Sequence, residues 1–236
     1  MKISIITLFP DMFESVLNTS ILKRAQQKGL VEYELINLRD FGTGSHQIVD
    51  DSPYGGGAGM VLKADILAEA VRSVIPSAVE GSLHVGRDDK YAKVILTSAS
   101  GTTYTQQKAR ALTSEKHIII ICGHYEGVDQ RFIDNYVDEE ISIGDYVLTG
   151  GELPAMILAD SITRLISGVL EKEGATENES HENGLLEHPH YTRPEEFEGI
   201  KVPEILVSGN HKKIAEWRQE QSIEKTKKVR PDLLKG

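Results

Sequence analysis

The chain has 236 residues, 36 acidic against 26 basic, and a formal net charge of −10. That length suits one large domain or a main domain with a smaller appendage, and the acidic balance taken as a whole argues against a phosphate-coating protein. Cys122 is the single cysteine, so no intramolecular disulfide forms and a reducing compartment is expected, while no apolar run approaches the ~20 residues of a membrane helix, which points to a soluble, cytoplasmic protein.

Strands and helices alternate from the start, the pattern of an α/β fold with a mostly parallel sheet. Ile3, Ile5 and Leu8 mark a first strand. After Pro10, Asp11 and Glu14 have the spacing of a capping box, and Phe13, Val16, Leu17, Ile21 and Leu22 give one helix an apolar face that ends at Gly29. Val31, Tyr33 and Leu35 alternate in a second strand finishing near Leu38. The polar, glycine-rich stretch from Asp40 to Gly59 is too long for a simple connector and is expected to be functional. Leu67, Ala70, Val71 and Val74 support a helix ended by Pro76, and Ser77 to Lys90 reads as a polar surface excursion.

Val94 to Thr97 is a core strand running into a small-residue turn, Ser98-Ala99-Ser100-Gly101. A helix near Gln106 to Leu112 follows, then four isoleucines, Ile118 to Ile121, whose β-branched run ending at Gly123 reads as a buried strand. Another short strand near Glu140 to Ile143 ends at Gly144, and Gly150-Gly151 turns the chain into the apolar helix ELPAMILADSITRLISGVL, in which Asp160 and Arg164 have i, i+4 spacing. Glycine loops at the carboxyl ends of parallel strands let backbone groups approach a ligand closely. A pocket lined mostly by backbone is therefore expected between Cys122 and Pro154.

Composition shifts after this helix. Residues 171–198 carry nine glutamates against Lys172 and Arg193, whereas 209–236 hold eight basic and four acidic residues. The expected division is a main domain over 1–167, a flexible acidic linker over 168–188 and a small helical domain over 189–236, with a helix from His211 to about Lys225 capped by Asn210. An acidic chain with a basic end can bind RNA through that end. His188 and His190 flank a proline, which argues against pairing on a metal, and no metal ligand is assigned. The loop DDSPYGGGAGM at 50–60 lacks the Gly-Lys-Ser/Thr ending of a nucleotide phosphate loop; a glycine slot beside Asp50 and Asp51 could instead hold a planar base.

Together DDSPYGGGAGM at 50–60, CGHYEGVD at 122–129, DEEISIGDYVLTGGELPAM at 138–156, HPHYTRP at 188–194 and SGNHKKIAEWR at 208–218 resemble the bacterial tRNA (guanine-N1)-methyltransferases, in order and across nearly the whole chain. The resemblance implies the SPOUT fold: an α/β domain with a deep C-terminal trefoil knot, plus a small helical domain. It also implies a knot that binds S-adenosylmethionine, leaving S-adenosylhomocysteine as product. The matching positions are Leu96, Thr97 and Ser98; Gly123, Tyr125, Glu126 and Gly127; Ile143, Gly144, Asp145, Tyr146, Val147 and Leu148; and Gly150, Gly151 and Pro154. The substrate implied is the guanosine immediately 3′ of the anticodon in tRNA, bound between the subunits of a homodimer, with Asp50, Gly59, Arg193 and Lys212 on the RNA. The family responds to magnesium, although the sequence offers no carboxylate cage for it.

Guanine N1 carries a proton at neutral pH, so its methylation needs a base and a positive partner for charge developing on the carbonyl oxygen. In the family these are an aspartate before a serine in the linker and an arginine on the helix after the knot. The arginine matches Arg164. The linker here reads Asn178-Glu179-Ser180, and with Ser180 and Gly184-Leu185-Leu186 as anchors the base falls on Glu179; Glu177 is the alternative. His124 stands where relatives often carry arginine and receives no role, and Glu126 faces either the donor's amino group or the base. Two other readings are a SPOUT enzyme acting elsewhere on RNA, which should lack the 50–60 loop and the HYTRP exit, and a non-catalytic RNA-binding module.

Overall fold

The computed structural model describes residues 1–75, 92–170, 176 and 179–234. The 77–90 excursion and its bounding Pro76, residues 171–175, Glu177 and Asn178 of the linker, and Lys235 lie outside them. The chain folds as two compact units, Met1–Glu171 and Lys172–Gly236.

The first unit is built on a five-stranded sheet in the order β2-β1-β6-β5-β7, with every adjacent pair parallel. The strands are β1 (Lys2–Thr7), β2 (Glu32–Asn37), β5 (Lys93–Thr103), β6 (His117–Cys122) and β7 (Glu139–Ser142). β6 is central, and its isoleucines alternate between two cores. Ile118 and Ile120 pack with Ile3, Ile5, Leu158 and Ile162 on one face, and Ile119 and Ile121 pack with Ile6, Leu67, Val71 and Phe132 on the other. A parallel strand covered on both faces has no solvent side, which is why its sequence is a continuous apolar run.

Helices α1 (Glu14–Leu17), α2 (Ser20–Gln27), α4 (Gln106–Leu112) and α6 (Glu152–Thr163) contribute to the first core, while α3 (Ala64–Val74) and α5 (Gln130–Tyr136) contribute to the second. The single helix expected after Pro10 is instead a 3-10 turn, Pro10–Phe13, followed by two short helices, because Thr19 is extended and Ser20 has φ +48°. No capping box forms: Pro10 sets the first turn with Phe9 as its N-cap, which leaves Asp11 inside the turn and its side chain without a capping bond. α6 also ends earlier than its apolar sequence suggests, with Arg164 as C-cap donating its N–H to Asp160 O at 3.0 Å.

α5 was not expected; the signal for it is Asp129, whose carboxylate caps the helix by accepting from Arg131 N at 2.9 Å. β5 likewise outruns its expected end at Thr97. Residues 98–101 bulge out of the sheet, and the chain rejoins β7 so that Thr97 and Thr102 both oppose Ile141. β3 (Asp50–Asp51), in the long 40–59 stretch, pairs antiparallel with β4 (Val61–Leu62) just beyond it.

The second unit contains a two-residue-per-strand hairpin, β8 (Glu196–Phe197) with β9 (Ile200–Lys201), then α7 (Glu204–Val207) and α8 (His211–Val229). Asn210 caps α8, accepting from Lys213 N at 3.2 Å. Part of the stretch assigned to the linker is ordered against this helix: Leu186 is buried, and its N–H donates to the buried Thr226 hydroxyl at 2.9 Å. No helix among the described residues is long and apolar enough to cross a membrane.

Candidate active site

In a parallel sheet the carboxyl ends of the strands share one edge, and here a glycine-bearing bulge within β5 joins the glycine-bearing loops that follow β6 and β7. The 98–101 bulge, the 123–128 loop and the 143–151 loop enclose a cleft of about 440 Å³, within the range of small-ligand sites. The loops are stitched by backbone. Gly151 N donates to Gly123 O at 2.8 Å, and the Thr97 hydroxyl lies 3.1 Å from Ile121 O and 3.3 Å from Gly151 O.

Glycine is required at these crossings by space. A Cβ on Gly151 would collide with the Thr97 hydroxyl and lie 2.6 Å from Gly123 N and 2.8 Å from Cys122 Cα, and one on Gly123 would lie 2.8 Å from Thr97 O. Tyr125, at φ +59°, is held in a conformation that costs a non-glycine residue energy and that recurs at ligand sites. Every residue expected to hold the donor lines this cleft except Asp145. The turn that bonds Tyr146 N to Gly144 O at 2.9 Å places Asp145 at its exposed apex.

Beneath the cleft sits a buried carboxylate that sequence reasoning missed. Glu152, 2% exposed, accepts from the Thr7 hydroxyl at 2.7 Å through Oε1, and its Oε2 lies 2.8 Å from His124 Nε2. A charge this deep is tolerated only when its oxygens are satisfied, and the first turn of α6 adds a favourable dipole. Its sequence position, one glutamate opening an apolar helix after two glycines, carried the signal only weakly. His124 thereby acquires a partner: it ties the 123–128 loop to α6. Cys122 is fully buried, and burial together with the Glu152 charge pushes its thiol well up, so it is no nucleophile. Glu152→Ala should lower stability by about 1–3 kcal/mol by stranding the Thr7 hydroxyl and His124, and Glu152→Gln should cost less; denaturant midpoints measure both.

The glycine-rich 50–60 loop is sewn to the cleft's rim. Glu126 N donates to Met60 O, Leu62 N to Gly127 O and Asp129 N to Leu62 O, each at 3.0 Å. This brings Gly59 against the Glu126 side chain, whose Cδ would lie 2.8 Å from an added Cβ. Asp50 is half-buried at the base of the β3–β4 hairpin, and Tyr54 at its tip is 99% exposed. Arg164, half-buried, belongs to the first unit; Glu179, Arg193 and Lys212 belong to the second. Glu179 is half-buried, and its carbonyl accepts from Glu182 N at 3.2 Å. Arg193 lines a separate cleft with Tyr191, Trp217 and Arg218, and Lys212 is exposed on the first turn of α8.

The sequence model of the family described as "tRNA (Guanine-1)-methyltransferase TrmD" matches residues 1–236. Among relatives, a protein of Anoxybacillus flavithermus is 54% identical over 235 residues, covering 99% of this chain and 91% of its own. A Bacillus subtilis protein is 52% identical over 235 residues, covering 100% and 93%, and one from Dehalococcoides mccartyi is 52% identical over 234 residues, covering 99% and 90%. Each is named tRNA (guanine-N(1)-)-methyltransferase. With the match running the full length of the chain and through every loop of the cleft, the chain belongs to the tRNA (guanine-1)-methyltransferase family.

Proposed function

We propose that the protein transfers a methyl group from S-adenosylmethionine to N1 of the guanosine immediately 3′ of the anticodon in tRNA. The observation that carries this reading is the cleft itself, three backbone-lined loops at the carboxyl ends of parallel strands in a chain of this family. The residues present fit the donor: the tight Gly123–Gly151 crossing holds two glycine-bearing loops together at the cleft, and a lining made largely of backbone suits an adenosine. When bound, the donor supplies an electrophilic methyl on a sulfonium.

The chain's own residues orient and deprotonate. The loops around Gly123, Gly144 and Gly151 would hold the donor, and alignment of donor and base would supply much of the rate. The Glu179 carboxylate takes the proton from guanine N1, and the Arg164 guanidinium donates to the carbonyl oxygen on which charge develops. The 98–101, 123–128 and 143–151 segments form the trefoil knot of the SPOUT fold, a reading supported by the close backbone crossing at Gly151. Asp50, Gly59, Arg193 and Lys212 contact the tRNA.

The enzyme works as a homodimer with the reacting base between subunits. α6 is apolar almost all round, and Leu153 and Ile157, one turn apart, stay 51% and 43% exposed on it; a helix of that kind is normally covered. Magnesium, where it acts, is given no ligand on the chain. The protein works in the cytoplasm, where its tRNA is.

The test is methyl transfer from labelled donor to tRNA transcripts differing only at the base after the anticodon. Guanosine there should support transfer, and adenosine, cytidine or uridine should abolish it. Transfer that ignores this base, or none to any transcript, overturns the reading.

A further inference from the structure

We propose that Glu187, His188 and His190, in the second unit, form a binding site for a divalent transition-metal ion of the zinc class. The proline between the two histidines argued against their acting together in the sequence; the fold brings Glu187 to them. One ligand atom from each of the three residues lies within 4.8 Å of the other two. His190 Nε2 is 2.9 Å from a Glu187 carboxylate oxygen, and the His188 and His190 rings are 4.6 Å apart.

The backbone that carries the ligands is fixed before any ion arrives. Glu187 N donates to Ser180 Oγ at 2.9 Å, and its carbonyl accepts from Lys225 Nζ at 2.9 Å, which pins the segment to α8. His188 Nδ1 lies 3.1 Å from Pro189 O. A carbonyl only accepts, so Nδ1 carries the ring proton and Nε2 keeps its lone pair, the arrangement usual for metal-ligating histidines. Two imidazoles and one carboxylate select zinc, cobalt or nickel and disfavour magnesium, which prefers oxygen ligands throughout. Three protein ligands leave a coordination position open. His188 and His190 also line the cleft shared with Arg193 and Arg218, so an anionic oxygen would be well placed to fill it.

The chain carries its own reporter. Trp217 is the only tryptophan and lines the same cleft. Cobalt(II), being paramagnetic, added to the full chain without a histidine tag should quench Trp217 emission saturably at one ion per chain. Zinc should compete and restore the emission, and magnesium should not quench. His188→Ala and Glu187→Gln should each weaken cobalt binding by at least about tenfold, the loss that even an outer-shell partner causes. Quenching that fails to saturate, that zinc does not reverse, or that both variants share unchanged overturns the site. If either variant misfolds, the visible absorption of cobalt on the unsubstituted chain decides: a four- or five-coordinate spectrum supports the site, and the spectrum of the hexa-aqua ion overturns it.

Discussion

Glu179→Gln is expected to lower the rate of methyl transfer by about 10²–10⁴-fold, the range for removal of a general base, with donor affinity nearly unchanged. Glutamine keeps the side chain's size and its hydrogen-bonding oxygen but cannot take the N1 proton. Arg164→Ala should cost about 10²–10³-fold, as loss of one donor to a developing oxyanion does. The arginine's backbone N–H, which closes the last turn of α6 on Asp160 O, survives that change, so the helix end should persist. The double variant should be little worse than Glu179→Gln alone, because two groups serving one step are not additive. Single-turnover transfer with saturating donor separates these effects from binding. Near-normal turnover in Glu179→Gln would remove it as the base and leave Glu177 as the next residue to test.

What the sequence made legible follows from which physical constraints are local. The isoleucine run of β6 announced a strand buried on both faces, and Asn210 announced the start of α8, because alternation and capping are decided within a few residues. The glycines of the cleft were legible as a pattern, and the fold supplied their cause: Gly123 and Gly151 are small because two backbones cross there. The depth of Glu152 was hidden, since its partners Thr7 and His124 stand 145 and 28 residues away. The re-entry of β5 after the 98–101 bulge was hidden for the same reason: four small residues read as a turn, and only pairing with β7 draws the chain back into the sheet. The metal-like grouping of Glu187 with the two histidines also needed the fold, because the segment takes its shape from Ser180 and Lys225.

Gly151→Ala should weaken donor binding, raising the dissociation constant by about tenfold or more, the equivalent of about 1.4 kcal/mol within the usual cost of overpacking. The added methyl would come closest to the Thr97 hydroxyl, and it would also meet Gly123 N at 2.6 Å and Cys122 Cα at 2.8 Å, which are backbone atoms at the central strand's end. The hydroxyl can turn but the two backbone atoms cannot, so the 143–151 loop must lift away from the 123–128 loop and lose the Gly151–Gly123 hydrogen bond that joins them. Overpacking of this kind also costs about 1–3 kcal/mol in stability. Thr97, whose hydroxyl lies at the same crossing, provides the discriminating control. Thr97→Ala removes the side-chain part of the clash and leaves the backbone part, so it should rescue Gly151→Ala at most in part; full rescue would show that the backbone crossing is not the obstacle. Gly55→Ala supplies the opposite control, since its Cβ would meet nothing within 4 Å, and only the positive φ of +91° penalises it. That variant should lose some stability and bind the donor normally. Calorimetric titration with S-adenosylhomocysteine measures all four proteins, and an unchanged affinity in Gly151→Ala would show that the crossing does not shape the donor site.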